Sequence, residues 1–203
     1  MCIRDSLKAF GEKHNLETKV DEAGNVLIKK PATPGKENLQ TVILQSHVDM
    51  VCEKNNDVEH DFLVDPIETE IDGEWMKAKG TTLGADNGIG VATELAILAD
   101  DTIEHGPLEC LFTVDEETGL TGAFALKEGF MNGDILLNLD SEDEGELFIG
   151  CAGGIDSVAQ FTYKEADVPA GYFFFKVEVK GLKGGHSGGD IHLGRGNANK
   201  ILN

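Results

Sequence analysis

Apolar residues in this chain concentrate in three runs of strand length, 41–45, 108–114 and 135–139, with helix-spaced sets between them. Continuous runs of this length suit strands buried on both faces of a sheet. Ahead of the first run, 7–14 reads as a short helix, 17–30 as two strands joined at Glu22-Ala23-Gly24-Asn25, and 31–38 as a loop. After it, 87–99 sets Ile89, Val91, Ala92, Leu95, Ala96 and Leu98 near helical spacing behind the turn Gly84-Ala85-Asp86-Asn87-Gly88. Asp86 is placed there to act as the N-cap. A third helix is predicted over 121–127, between the last two apolar runs. Alternation of strand and helix argues for an α/β layer, a largely parallel central sheet flanked by helices.

The texture changes around Gly150-Cys151-Ala152-Gly153-Gly154. Beyond it, 156–163 and 172–181 alternate like solvated antiparallel strands, with Phe173, Phe175, Val177 and Val179 on one face. A domain boundary placed there separates 1–152 from 153–203. The closing Ile201-Leu202-Asn203 reads as the first turn of a helix with no capping or stop signal.

A chain of 203 residues can build one sizeable core and part of a second, and 40% hydrophobic content excludes a disordered polymer. Lys and Arg total 17 against 37 Asp and Glu, for a formal net charge of −20. That charge repels phosphate backbones and anionic lipid surfaces, so neither nucleic acid nor membrane is expected as a partner. Cys2, Cys52, Cys110 and Cys151 form no Cys-x-x-Cys pair, which excludes a zinc ribbon or dithiol redox motif. Cys110 and Cys151 read as small buried hydrophobes. With no signal-peptide core and no apolar run near the roughly 20 residues that span a bilayer, a cytoplasmic location is expected.

Within this acidic background, a few groups stand where chemistry is usually placed. His47 and Asp49 lie at the exit of the first apolar run, Glu116 and Glu117 just beyond the second, and Asp140 just beyond the third. Asp86 sits at the Gly-rich entrance to the helix. Ligand sites in open α/β sheets lie at the carboxyl ends of strands, so these scattered positions can converge. Imidazoles and carboxylates bind zinc-like cations, and two metals about 3.5–4 Å apart need a carboxylate able to bridge them. Asp86 is the candidate bridge. In an extended segment His47 and Asp49 point the same way, as a ligand and the carboxylate that fixes its tautomer would. Adjacent glutamates diverge, so Glu117 can bind metal while Glu116 faces a water as general base.

These motifs together resemble the zinc-dependent metallopeptidases that include the aminoacylases, peptidase T and the aminoacyl-histidine dipeptidases. The likeness runs through Ser46-His47-Val48-Asp49-Met50-Val51, the segment 80–88, Asp115-Glu116-Glu117-Thr118-Gly119, Asn138-Leu139-Asp140-Ser141-Glu142 and Gly184-Gly185-His186-Ser187-Gly188. It is strongest to the aminoacyl-histidine dipeptidases, through His60-Asp61-Phe62, Asp65-Pro66-Ile67 and the long turn over 79–90.

The resemblance implies a zinc-aminopeptidase-like catalytic domain followed by the start of an α+β lid. It also implies two Zn2+ (with Co2+ or Mn2+ as substitutes) and hydrolysis of Xaa-His dipeptides such as β-alanyl-histidine. In its terms His47 and Asp140 hold one metal, Glu117 the other, and Asp86 bridges through a turn that often contains a cis peptide. Asp49 orients His47, and Glu116 is general base and proton shuttle. His186 corresponds to a lid histidine acting on the scissile carbonyl, often across a homodimer; its alternative is a histidine satisfied within a Gly-rich turn. The surrounding Gly184, Gly185, Gly188 and Gly189 would admit close backbone approach. The resemblance further implies that one histidine ligand and most of the lid lie beyond Asn203, that 1–6 departs from the usual leading helix, and that a sheet lacking strands would be poorly soluble. Two other readings stay open: a tripeptidase or N-acyl amino acid amidohydrolase of the same fold, and a noncatalytic acidic metal-binding fragment.

Overall fold

A computed structural model describes all residues except Met1, Cys2, Glu142, Ala152, Asp156 and His186 to Gly188. It divides into two compact units, Met1–Cys151 and Ala152–Asn203.

The larger unit opens with helix α1, Ile3–Lys13, which buries Leu7 and Gly11. It begins within the segment expected to depart from a leading helix, and ends where Asn15 adopts φ 55, the left-handed conformation that terminates many helices. Strands β1, Glu17–Val20, and β2, Val26–Lys30, form the expected hairpin. Its turn is held by Asp21, whose Oδ1 accepts from the amides of Gly24 (2.8 Å) and Asn25 (2.9 Å). Then follow β3, Val42–His47; β4, Thr69–Asp72; β5, Trp75–Ala78; helix α2, Ala85–Ala99; β6, Leu108–Thr113; helix α3, Thr121–Ala125; and β7, Ile135–Asn138. Sequence patterning assigned no element to β4 and β5. Their hairpin turns at Gly73-Glu74, with Asp72 paired to Trp75, and the preceding Asp72-Gly73 is a short hairpin signal that could have shown it.

The five-stranded sheet has the order β1-β2-β6-β3-β7. It is mixed: β6, β3 and β7 run parallel, and the β1-β2 hairpin joins β6 antiparallel. Alternate residues feed two cores. Val26, Ile28, Leu44, Cys110 and Phe112 face Leu7 of α1 and Val91 and Leu98 of α2. Leu27, Ile43 and Leu111 face Leu126, Phe130 and Met131 on the other side. Every residue of β6 is buried, as expected of a strand covered on both faces. The third apolar run behaves differently: Ile135, Leu136 and Leu137 are 39%, 49% and 43% exposed. β7 is an edge strand, paired only with β3 among the described residues, and an edge leaves apolar side chains without covering neighbours.

Helix α2 departs from its expected face and cap. Ile89 is exposed, and the buried stripe is Asn87, Gly90, Val91, Glu94 and Leu98, a helical i, i+3, i+4, i+7 spacing that admits two polar residues. Asp86 caps nothing. The peptide Asp86-Asn87 is cis, both residues have non-helical backbone angles, and the Gly90 amide instead donates to Asn87 Oδ1 at 3.1 Å. The turn into α2 also depends on Gly84, at φ 75, where a Cβ would meet Met50 Sδ at 2.8 Å.

The smaller unit contains a 3-10 turn, Ile191–Leu193, and helix α4, Ala198–Leu202. Asn197 caps α4 by accepting from the Lys200 amide at 3.0 Å, a signal the sequence reading passed over. The strands expected over 156–163 and 172–181 do not form among the described residues. Phe173, Phe175 and Val177 are 79%, 76% and 59% exposed. Alternation makes a segment fit to be a strand, but a strand needs a neighbour to satisfy its amides and cover its apolar face. Cys151, expected to be buried, is exposed, while Cys110 is fully buried. No helix among the described residues is long and apolar enough to cross a membrane.

Candidate metal centre

Parallel pairing brings three of the four chemical segments to one edge. His47 is the last residue of β3, in register with Thr113 at the end of β6. Three and four residues further lie Glu116 and Glu117. On the other side, β7 ends at Asn138, and the Leu139 amide still donates to Gln45 O at 2.8 Å, setting Asp140 level with His47. The turn into α2 supplies Asp86. One atom each from His47, Asp86 and Glu117 can be chosen so that all lie within 4.8 Å of one another.

His47 is buried at 1% exposure, and both ring nitrogens face acceptors. Nδ1 is 3.0 Å from the backbone oxygen of Asp49, and Nε2 is 3.0 Å from Asp86 Oδ1 and 3.6 Å from Asp140 Oδ1. An Nδ1–H donated to that carbonyl turns Nε2 toward the carboxylates. The carboxylate of Asp49 lies at 3.4 Å from Nδ1, too long for a strong hydrogen bond. It accepts instead from the amides of Glu116 (3.1 Å, Oδ1) and Glu117 (3.0 Å, Oδ2). Asp49 thus orders the glutamate loop as well as lying beside the histidine.

Crowding of like charge shapes the titration of these groups. Burial disfavours the charged imidazolium, but the hydrogen bond it can donate to Asp86 and the charges of Asp140 and Asp49 outweigh it and raise the His47 pKa. Burial, then hydrogen bonding with Asp86, lifts the Asp140 carboxyl to about 6 against the attraction of His47. Burial and the charges of Asp86 and Glu116 raise Glu117. Anionic oxygens gathered so closely repel one another, and a divalent cation among them removes that repulsion. Imidazole and carboxylate donors suit Zn2+ and, equally, Mn2+ or Co2+.

Supporting residues escaped the sequence reading. Asn25, assigned only to the hairpin turn, is fully buried. Its Nδ2 donates to Gly122 O (2.8 Å), and its Oδ1 accepts from the Val114 amide (3.1 Å), pinning the strand end that leads to Glu116. Asn87 donates to Asp140 Oδ1 at 2.7 Å. An asparagine in a turn looks the same in sequence whether its amide is buried or solvated, so no local pattern marks either one. His186 lies outside the described residues. Beside it, a Cβ on Gly185 would fall 2.0 Å from Arg195 Nη1; the group that closely approaches this glycine is a guanidinium paired with Asp190 at 2.7 Å.

A sheet that gathers imidazole and carboxylate donors at the carboxyl ends of its parallel strands is the framework of a metal-dependent hydrolase domain. Residues 43–187 match Peptidase family M20/M25/M40, and the chain belongs to that family. It is 54% identical over 200 residues to the cytosol non-specific dipeptidase of Escherichia coli (strain K12), covering 98% of this chain and 41% of that protein. The crystal structure of aminoacylhistidine dipeptidase from Vibrio alginolyticus superposes with a TM-score of 0.73 at 50% identity, covering 98% of this chain and 41% of that one. A tripeptidase from Staphylococcus aureus is more distant, with a TM-score of 0.58 at 25% identity over 68% of this chain and 37% of its own. The fold is that of the family's catalytic domain, and the chain spans about two fifths of the length of the dipeptidases it matches.

Proposed function

We propose that this chain carries the catalytic site of a di-metal dipeptidase acting on Xaa-His dipeptides of the β-alanyl-histidine type. The observation that carries the reading is the convergence of His47, Asp86 and Glu117, with Asp140 beside them, from three strand ends and a helix start. His47 and Asp140 would hold one Zn2+, Glu117 the other, with Asp86 shared between them. When bound, the cations supply charge that makes water acidic near neutrality and polarises the scissile carbonyl. Glu116 takes the proton of the attacking water and returns it to the departing amine. Asp49 keeps Glu116 and Glu117 in register by holding both amides. In this reading 153–203 begins a lid, His186 stabilises the carbonyl oxygen, and the complete protein is a cytoplasmic homodimer that takes a small peptide substrate. The dipeptidase activities in the names of the Escherichia coli and Vibrio relatives support the substrate class.

The test is metal-dependent hydrolysis by the protein expressed from its complete reading frame. β-Alanyl-histidine would be compared with a tripeptide and an N-acylated amino acid. Selective cleavage of the dipeptide is expected, and Glu116→Gln should lower kcat by about 10²–10⁴-fold while metal content is unchanged. Preference for the tripeptide or acyl substrate would move the activity to another branch of the fold. Bound metal without hydrolysis of any of the three would favour the noncatalytic reading.

A further inference from the structure

We propose that Asn87 is a positioning residue of the metal centre, its side-chain amide tying the carboxylate of Asp140 to the first turn of α2 and so setting Asp140 against Asp86. The inference deepens the metal-site reading above and rests on it.

Asn87 is 2% exposed, and its amide is used at both ends. Nδ2 donates to Asp140 Oδ1 at 2.7 Å, and Oδ1 accepts from the Gly90 amide at 3.1 Å. Only one orientation of the amide satisfies both contacts. Reversed, its oxygen would face a carboxylate oxygen and its NH2 a backbone N–H. One side chain therefore starts the regular helix and holds a residue 53 positions further along the chain. Because Asn87 directly follows Asp86, the tie fixes two carboxylates that arrive from different elements.

The chemistry of the amide suits this place. The cluster already contains Asp49, Asp86, Glu116, Glu117 and Asp140. A lysine or arginine at 87 would grip Asp140 through opposite charge and compete with any cation for it. An aspartate would keep the cap on Gly90 but set two anions together. A neutral donor alone fixes Asp140 and leaves its charge for a metal. Glycine at position 90 makes room for this arrangement, since a Cβ there would fall 2.1 Å from Asn87 Oδ1 and 3.0 Å from Ser46 Cβ.

Outer partners that hold metal ligands typically contribute 10–100-fold in metal affinity. The experiment is a zinc titration against a chromophoric chelator in the protein expressed from its complete reading frame. Wild type, Asn87→Asp, Asn87→Ser, Asp140→Ala and the double variant Asn87→Asp/Asp140→Ala would be compared, with thermal unfolding of each metal-free protein. Asn87→Asp retains the helix cap and loses the donor, so it should weaken one of two zinc ions about 10–100-fold. Asn87→Ser, which adds no charge, should change affinity in the same direction. Within Asp140→Ala the further substitution should change zinc affinity little. If Asn87 only caps α2, Asn87→Asp will bind both ions as wild type does, and the proposal is overturned. Wild-type protein that binds no zinc would overturn the metal-site reading itself, and the tie with it.

Discussion

The two units of this chain contain similar apolar residues and treat them in opposite ways. In Met1–Cys151 the side chains of β2, β3 and β6 alternate between two covered faces, and Phe112 is fully buried. In Ala152–Asn203 the run Tyr172-Phe173-Phe174-Phe175 is at least 73% exposed throughout, although the alternation that follows it, Phe175-Lys176-Val177-Glu178-Val179-Lys180, is clearer than that of β6. The difference lies in partners. β6 has β2 on one side and β3 on the other, and covering segments on both faces. Period-two patterning is thus insufficient to make a strand without a neighbour.

The contrast can be broken most forcefully in β6. Phe112→Ala should lower the unfolding free energy by about 3–5 kcal/mol, the usual cost of emptying a buried aromatic site. Denaturant unfolding of the 203-residue chain would measure it, and a loss under about 1 kcal/mol would mean the core repacks freely.

A smaller effect resides at Glu94, on the buried stripe of α2. It is fully buried, and neither oxygen has a hydrogen-bond partner within bonding distance among the described residues; burial pushes its pKa from 4.5 to about 9 against a lowering by the Ser46 hydroxyl. The folded state keeps the proton while the unfolded state releases it above about 4.5, so stability should fall as pH rises between those two values. Each pH unit in that window costs up to about 1.4 kcal/mol. Unfolding followed from pH 5 to 8 should show the decline in wild type and its loss in Glu94→Leu. Equal slopes in the two proteins would mean that Glu94 ionises within the fold.

The smallest effect sharpens the comparison from the other side. Phe175→Ala should change the stability of the 203-residue chain by less than about 0.5 kcal/mol, as substitutions of exposed residues do. A cost approaching that of Phe112→Ala would show that the smaller unit has a core of its own.

Much of the candidate site was legible because its members stand at strand ends or, for Asp86, at the Gly-rich entrance to a helix, where a change from apolar run or glycine turn to acid or histidine is visible without knowing the fold. His47, Asp86, Glu116, Glu117 and Asp140 could be named in that way. The work of Asp49 was only partly legible. Spacing places it beside His47, but only the parallel register of β3 and β6 carries its carboxylate to the amides of Glu116 and Glu117. Asn25 and Asn87 were not legible at all, since each makes its decisive contact with residues 53 or more positions away. The cap of α2 was misassigned for a related reason: Asp86 and Asn87 are both good capping residues, and only the turn geometry selects Asn87.

By itself, the sequence determined the strand-length apolar runs, the helix spacing over 87–99, the acidic charge and the order of the chemical groups along the chain, because each is a local property of residue types. Among the described residues, the tertiary structure decided that β7 lies at an edge, that the apolar alternation of the smaller unit stays solvated, that the Glu94 carboxyl is buried without a hydrogen bond, and which amide holds which carboxylate. Those outcomes depend on what packs against a residue from a distant part of the chain, and no local pattern contains that information.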